Sequence, residues 1–370
     1  MTPAPIFSLQ AAIASDASKS DQQLYDELLD DCREAHALGY DTAWFLEHHC
    51  SEYNPTPSPL IFAAHVAREL PHLNLGTSVL VLPWHHPLRV AGEIAMLTLL
   101  SRGKLHIAVG RGTAKSEYEA FGIDMTEARQ RLAEGVDIIR LALSGKPFSY
   151  EGKIFRIPRP VTLRPRPNDN GGRVQLYGAI GSPSSAGIVA DMGVPFIVPA
   201  AFPNAMLKGF VDTWRERTEA RGGNIDVTLP IAGTLIVADS DEEAVQIGLK
   251  YMPDFFRIQL AHYEVDNHPW DDVQGFKQFA QIFGNLKRFA NEPAELRKYL
   301  QGHFVGSPET VRARIEELAA MGYNHFVLGP TTSGFPKALQ MESMRRFARE
   351  VAPKLAPGFS IRRGATRSAP

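Results

Sequence analysis

A short apolar run, a longer stretch with apolar residues every three or four positions, then another apolar run: this unit recurs along almost the whole 370-residue chain. Short, largely apolar runs of about three to ten residues read as buried strands, and the three-and-four spacing reads as helices with one buried face. Strands that alternate with helices must lie parallel, because each helix carries the chain back to the start of the next strand. The runs are Ile6–Leu9, Thr42–Leu46, Leu73–Leu82, Leu105–Val109, Val174–Tyr177, Phe196–Pro199, Leu229–Val237 and Phe326–Leu328. Eight such units predict a closed (β/α)8 TIM barrel, an α/β fold whose active site lies at the C-terminal ends of its strands.

The helices carry their own signals. Leu24, Leu28, Cys32, Ala35 and Leu38 share one face, and Gly39 follows where a helix-ending glycine belongs. A helix from about Leu88 to Leu100 follows the third strand, and Leu132, Val136 and Ile139 line another helix. Ser240 with Glu243 predicts a capping box, and Ser307-Pro308 predicts a helix start. Residues 145–172, rich in Gly and Pro, break the rhythm, and the run from Phe148 to Phe155 looks like a small hairpin. We read them as an excursion on one barrel domain spanning 1–357. Residues 262–300 are polar and aromatic, with Tyr263, Trp270, Phe276 and Phe279 as a candidate lid, and the Arg- and Ser-rich stretch 358–370 reads as a disordered tail.

Composition narrows the class. Hydrophobic residues make up 44% of the chain and charged residues 22%, enough for a large core. A net charge of −2, without a long basic block, argues against a nucleic-acid surface. No apolar run reaches the ~18 residues a membrane span needs. The N-terminus lacks the pattern of a secretory signal. The two cysteines, Cys32 and Cys50, make no disulfide framework. These features predict a soluble cytoplasmic protein.

Three groups follow strands. Glu47-His48-His49 ends the second, and its adjacent imidazoles could serve as base, donor or ligand. Gly110-Arg111-Gly112 ends the fourth, where glycines allow close approach and guanidinium suits phosphate. Gly178 to Ser185 ends the fifth and opens a helix, so that its amides with Ser182 and Ser185 make a candidate phosphate cradle; capping by Ser182 explains one serine only. Two anion-binding groups on one face suggest one phosphorylated substrate or cofactor. His48, His49, His85 and His86 also raise a metal-dependent hydrolase, but no HxH follows the first strand and adjacent histidines diverge. We therefore expect no metal.

The ordered pieces Trp44–His49, Asn74–Thr77, Val81–Pro83, His86–Arg89, Leu99–Lys104 and Gly110–Gly112 leading to Phe121-Gly122 resemble the bacterial luciferase family, its alpha chain in particular. Tyr177–Pro195 and Val305–Glu309 fit the same pattern, so the resemblance covers roughly residues 5–355. It implies a TIM barrel binding reduced FMN, which reacts with oxygen to give a flavin hydroperoxide. It makes His48 the catalytic histidine and Arg111 the phosphate grip, with Gly181, Ser182 and Ser185 completing the cradle. Glu47, Thr77, Ser78 and Val79 join the cofactor-binding set, and Ser78-Val79 falls where the family can hold a non-prolyl cis peptide. Two positions depart: the family's reactive cysteine is Gly110 here, which argues against light emission, and its glutamate at the phosphate turn is Gly181.

The chain shows no GxGxxG for a nicotinamide, so the resemblance implies a separate flavin reductase, with O2 and a small apolar aldehyde, ketone, alkane or terpene-like molecule as co-substrates. It also implies a homodimer. A deazaflavin-dependent oxidoreductase on the same barrel is the nearest alternative, against which Glu47-His48-His49 favours FMN; a non-catalytic flavin-binding subunit is another, against which the presence of His48 and Arg111 counts.

Overall fold

The computed structural model of the chain describes residues 4–13, 15–168, 172–265, 277–330 and 334–362, with the side chains of 183 and 277–283 left aside. Among the described residues eleven strands follow in chain order: β1 (Ile6–Ala11), β2 (Thr42–Phe45), β3 (Asn74–Val81), β4 (Leu105–Gly110), β5 (Phe148–Glu151), β6 (Arg156–Val161), β7 (Val174–Ala179), β8 (Phe196–Pro199), β9 (Pro230–Val237), β10 (Phe304–Gly306) and β11 (His325–Gly329). Eight of them close a parallel barrel in the order β1, β2, β3, β4, β7, β8, β9, β11 and back to β1. Each expected strand is found, and the fold is the expected (β/α)8 TIM barrel. The three-residue β10, which the sequence pattern did not signal, extends β9 at its C-terminal end through Phe304 opposite Leu235.

Helices cover the barrel. Asp21–Ala37 begins with a reciprocal capping box between Ser20 and Gln23 and ends before Gly39, which adopts a left-handed φ of 90°. A Cβ on Gly39 would also stand 2.4 Å from the Ser360 carbonyl oxygen. Pro59–Glu69 is capped by Ser58; the sequence reading assigned nothing there. The expected box at Ser240 forms by half. Ser240 Oγ accepts from the Glu243 amide at 3.2 Å, but the Glu243 carboxylate accepts from the Asp239 amide instead.

The excursion is an antiparallel hairpin of β5 and β6. Its turn is tied down by buried Glu134, whose carboxylate accepts from the amides of Lys153, Ile154 and Phe155. Burial would raise the Glu134 carboxyl, but these donors and Gln130 hold it below the usual range.

Apolar side chains fill two layers. One lies between strands and helices; the other, inside the barrel, holds Trp44, Ala108, Tyr177, Ile197 and Val327. Gly76 admits the Trp44 ring, which stands 2.7 Å from where a Cβ would lie. Polar groups share this interior. Ser8 Oγ pairs with His325 Nε2 at 2.6 Å, and His106 Nδ1 with the Tyr177 hydroxyl at 3.0 Å. No helix among the described residues is long and apolar enough to cross a membrane.

Candidate functional site

The C-terminal ends of the strands enclose a cavity of about 450 Å³. Its size lies in the range of small-molecule and cofactor sites. Glu47, His48, Ser78, Val79, Arg111, Gly181 and Ser185 all line it. Seven of the nine residues proposed from sequence are thus brought together from β2, β3, β4 and β7. Thr77 and Ser182 are not among the lining residues. Thr77 is buried, and its hydroxyl donates to the Ala108 carbonyl at 2.7 Å within the barrel wall.

Ser182 is the N-cap of the helix Pro183–Asp191, and the cap is reciprocal. Ser182 Oγ accepts from the Ser185 amide, while Ser185 Oγ accepts from the amides of Gly181 and Ser182 at 3.1 and 3.0 Å. Capping thus explains both serines, where the sequence reading credited it with one. What faces the cavity here is Gly181 and Ser185, and a Cβ on Gly181 would meet only the Phe202 ring, 3.9 Å away.

Ser78-Val79 is a non-prolyl cis peptide at the point where the β3–β4 register shifts. Gly110 lies beneath it: a Cβ there would stand 2.7 Å from Val79 Cγ2. The methyl group of Val79 therefore occupies the space that a side chain at position 110 would need. Gly112 has a φ of 70°, and its Cβ would meet Val81 and Trp84. These two glycines let the strand end turn beneath the β3 peptides and present Arg111 between them. Burial, then the charge of Arg129, pushes the Arg111 guanidinium down to about 10, so it remains a cation at neutral pH. Arg129 adds a second positive charge that sequence reasoning missed.

Glu47 is a hub. Its buried carboxylate accepts from His49 Nε2 at 3.0 Å, His85 Nε2 at 2.6 Å and the Val81 amide at 2.7 Å. Burial would raise this carboxyl; the two imidazoles and the amide hold it below its usual value. For His85, burial opposes the charged form, but Glu47 raises it above the usual range. The hub ties the end of β2 to β3 just beyond the cis peptide. His49 and His85 are thereby spent on Glu47, and His86 caps the helix Pro87–Leu100, so the four histidines offered by the sequence do not converge as ligands.

His48 has different neighbours. Its Nδ1 is buried without a hydrogen-bond partner among the described residues and lies 3.7 Å from Glu117 Oε1. His262 approaches the same carboxylate from the other side, Nε2 to Oε2 at 3.8 Å, and pairs with the Ser51 hydroxyl at 2.7 Å. The two imidazole rings meet edge to face at 4.7 Å. Burial, helped by His48, lowers His262 to about 3. Glu117 also accepts from the His49 amide at 2.6 Å. The trio offers three donors of a kind that a divalent cation accepts. Sequence reasoning missed Glu117 and His262; Glu117, six residues beyond the arginine on the helix Lys115–Ala120, was within its reach.

Leu46, Trp84, Ile197, Phe202, Phe255 and Tyr263 give the cavity a largely apolar lining. Tyr263 belongs to the expected lid. Trp270 and Phe276 lie outside the described residues, as does the side chain of Phe279.

Comparison with known proteins agrees with this geometry. A family model described as luciferase-like monooxygenase matches residues 7–325. The oxygenase component of a flavin-dependent trigonelline monooxygenase from Acinetobacter baylyi is 26% identical over 354 residues, 95% of each chain. Two solved structures share the fold. The oxygenating constituent of 3,6-diketocamphane monooxygenase from Pseudomonas putida, in complex with FMN, superposes with a TM-score of 0.74 at 19% identity, covering 95% of this chain and 99% of that one. An F420-dependent secondary alcohol dehydrogenase superposes at 0.72 and 16% identity, covering 94% and 98%. With the family matched over most of its length and a flavin-sized cavity at the barrel mouth, the chain belongs to the luciferase-like monooxygenases, a family of flavin-dependent oxidoreductases.

Proposed function

We propose that this chain is the oxygenase of a two-component system, using reduced FMN from a separate reductase and O2 to oxidise a small apolar molecule. The observation that carries this reading is the convergence on one cavity of His48, Arg111, the Ser78-Val79 peptide and the Gly181–Ser185 turn. The residues fit the cofactor. Arg111, with Arg129 behind it, suits a phosphate, and Gly181 leaves room beside the helix start. The apolar lining suits a planar ring system. Reduced FMN, when bound, supplies the electrons that activate O2.

The chain's own groups do the rest. Glu117 beside Nδ1 of His48 favours a proton on that nitrogen, which leaves the lone pair on Nε2. His48 then acts as base or donor to the reacting oxygen or substrate. The apolar lining excludes water. We also propose a homodimer, because Ile61, Met96, Leu99 and Leu100 stand exposed on two neighbouring helices. The thiols of Cys32 and Cys50 are free, which supports a reducing, cytoplasmic setting.

The test is anaerobic titration with reduced FMN, followed by mixing with oxygen while flavin absorbance is recorded. We expect tight binding and a reoxidation course altered in His48→Ala. Binding of reduced deazaflavin but not reduced FMN would move the reading to hydride transfer. Binding of neither would overturn it.

A further inference from the structure

Donor atoms of His48, Glu117 and His262 all lie within 4.8 Å of one another, where the loop after β2 meets the helix Lys115–Ala120 and the end of the helix Asp241–His262. Nδ1 of His48 and Nε2 of His262 are both buried, and neither has a hydrogen-bond partner among the described residues. They stand 3.7 and 3.8 Å from the two carboxylate oxygens of Glu117, too far for hydrogen bonds. The Glu117 side chain is 2% exposed and that of His262 1%, so water satisfies neither. Two bare nitrogens beside a buried carboxylate are costly, and a ligand shared by all three relieves that cost. Four donors at about 2.0–2.1 Å around a tetrahedral ion stand about 3.4 Å apart. The two measured spacings of 3.7 and 3.8 Å therefore need to close by only about 0.3–0.4 Å.

The surroundings are those that hold metal ligands in place. The His49 amide donates to Glu117 Oε1 at 2.6 Å and fixes the carboxylate. Ser51 Oγ pairs with Nδ1 of His262 at 2.7 Å and accepts from the Tyr53 amide at 3.2 Å. With the Ser51 hydroxyl accepting from both, His262 carries its proton on Nδ1 and its lone pair on Nε2. The four histidines offered by the sequence do not converge, and no metal was expected from them; this trio does converge. We propose that His48 Nδ1, Glu117 and His262 Nε2 form a site for one divalent zinc ion, with the fourth position left to water. Two imidazoles and a carboxylate are a set that zinc takes with one position open. Magnesium and calcium prefer oxygen donors. The site stands on these donors and not on the flavin reading. Zinc on Nδ1 forces the His48 proton onto Nε2, so a loaded His48 donates and cannot act as a base.

The experiment titrates the chelator-stripped full chain with Zn2+ in competition with a chromophoric chelator, and with Co2+ followed by visible absorbance. We expect one ion per chain, and the strong bands of four- or five-coordinate Co2+ in place of the weak bands of the hydrated octahedral ion. Long-range 1H–15N spectra of the unaltered protein labelled with 15N-histidine should show two imidazoles taking up Zn2+, one through Nδ1 and one through Nε2. Glu117→Gln and His262→Ala should each weaken zinc binding by at least about 100-fold, because changes outside the ligand set already cost about 10–100-fold. Ser51→Ala should cost about tenfold. His262→Cys supplies another zinc ligand and should restore binding, with a thiolate-to-Co2+ band that the parent lacks. Cys50→Ser, which removes the exposed thiol nearby, should change nothing. Absence of binding at one ion per chain, an octahedral Co2+ spectrum, an affinity that survives Glu117→Gln and His262→Ala, or one that falls in Cys50→Ser would overturn the proposal.

Discussion

Gly110→Ala adds one methyl group beneath the cis peptide, and we expect it to destabilise the fold by about 1–2 kcal/mol and to weaken flavin binding. The new Cβ would stand 2.7 Å from Val79 Cγ2, while its next neighbours, Val79 Cβ and Ala179 Cβ, lie at 3.5 and 3.6 Å. Non-bonded carbons prefer about 3.5–4.0 Å, so only one contact is in serious overlap, by roughly 1 Å. Val79 is β-branched and cannot swing away freely. Overpacking of this kind costs about 1–3 kcal/mol, from which the stiffer unfolded chain returns about 0.4–1 kcal/mol. Val79→Ala removes the offending methyl and by itself loses about 1 kcal/mol of packing. The double variant should then be more stable than the two single losses predict, by about 1–2 kcal/mol of coupling. Urea unfolding followed by tryptophan fluorescence measures all four corners of the cycle, and FMN titration reports on the cavity. A Gly110→Ala protein as stable as the parent, or single effects that simply add, would refute the argument.

Other expectations follow from buried polar groups. Burial pushes His106 and His325 down to about 4 and about 3, against about 6.5 in an unfolded chain. Below pH 6.5 the unfolded chain binds the extra protons, so stability falls as pH drops toward 4, by up to about 1.4 kcal/mol per pH unit per histidine. Melting temperature measured between pH 7.5 and 5 should decline across that window, and a flat profile would contradict the burial. Glu134→Ala removes the acceptor for three hairpin amides and should cost about 2–4 kcal/mol, chiefly as faster hydrogen exchange in residues 148–161. Glu117→Gln should lower turnover by about 10²-fold, because His48 loses the carboxylate beside Nδ1, with little change in affinity for reduced FMN. Unchanged turnover would remove Glu117 from the proton-handling role.

The sequence made some parts of the site legible and hid others for identifiable reasons. His48 and Arg111 could be found because each immediately follows an apolar strand, and the barrel places such positions at its mouth. Gly181 and Ser185 could be found because a helix start follows a strand. The hub role of Glu47 was hidden, since its partners His49, His85 and Val81 come from separate stretches of chain. His262 was hidden for the same reason: it closes the helix Asp241–His262, and only the fold brings it beside Glu117 and Ser51. Thr77 stands in the barrel wall, its hydroxyl turned to the Ala108 carbonyl, a direction that the strand pattern by itself did not reveal. The second serine of the turn was misread because a capping box can use serine in place of glutamate at its third position.

Local pattern was enough to signal the eight barrel strands, the hairpin and most helix phases, but not the helix Pro59–Glu69 or β10. The strands, helices and hairpin depend on interactions among residues near one another in the chain, whereas closure of the barrel sets Ile6 beside His325 and follows from the need to bury apolar faces. Tertiary structure alone decided which polar groups meet. It placed Glu117 between two imidazoles 214 positions apart. Those choices depend on distances of a few ångströms across the barrel mouth, and chain spacing carries no record of such distances until the barrel has closed.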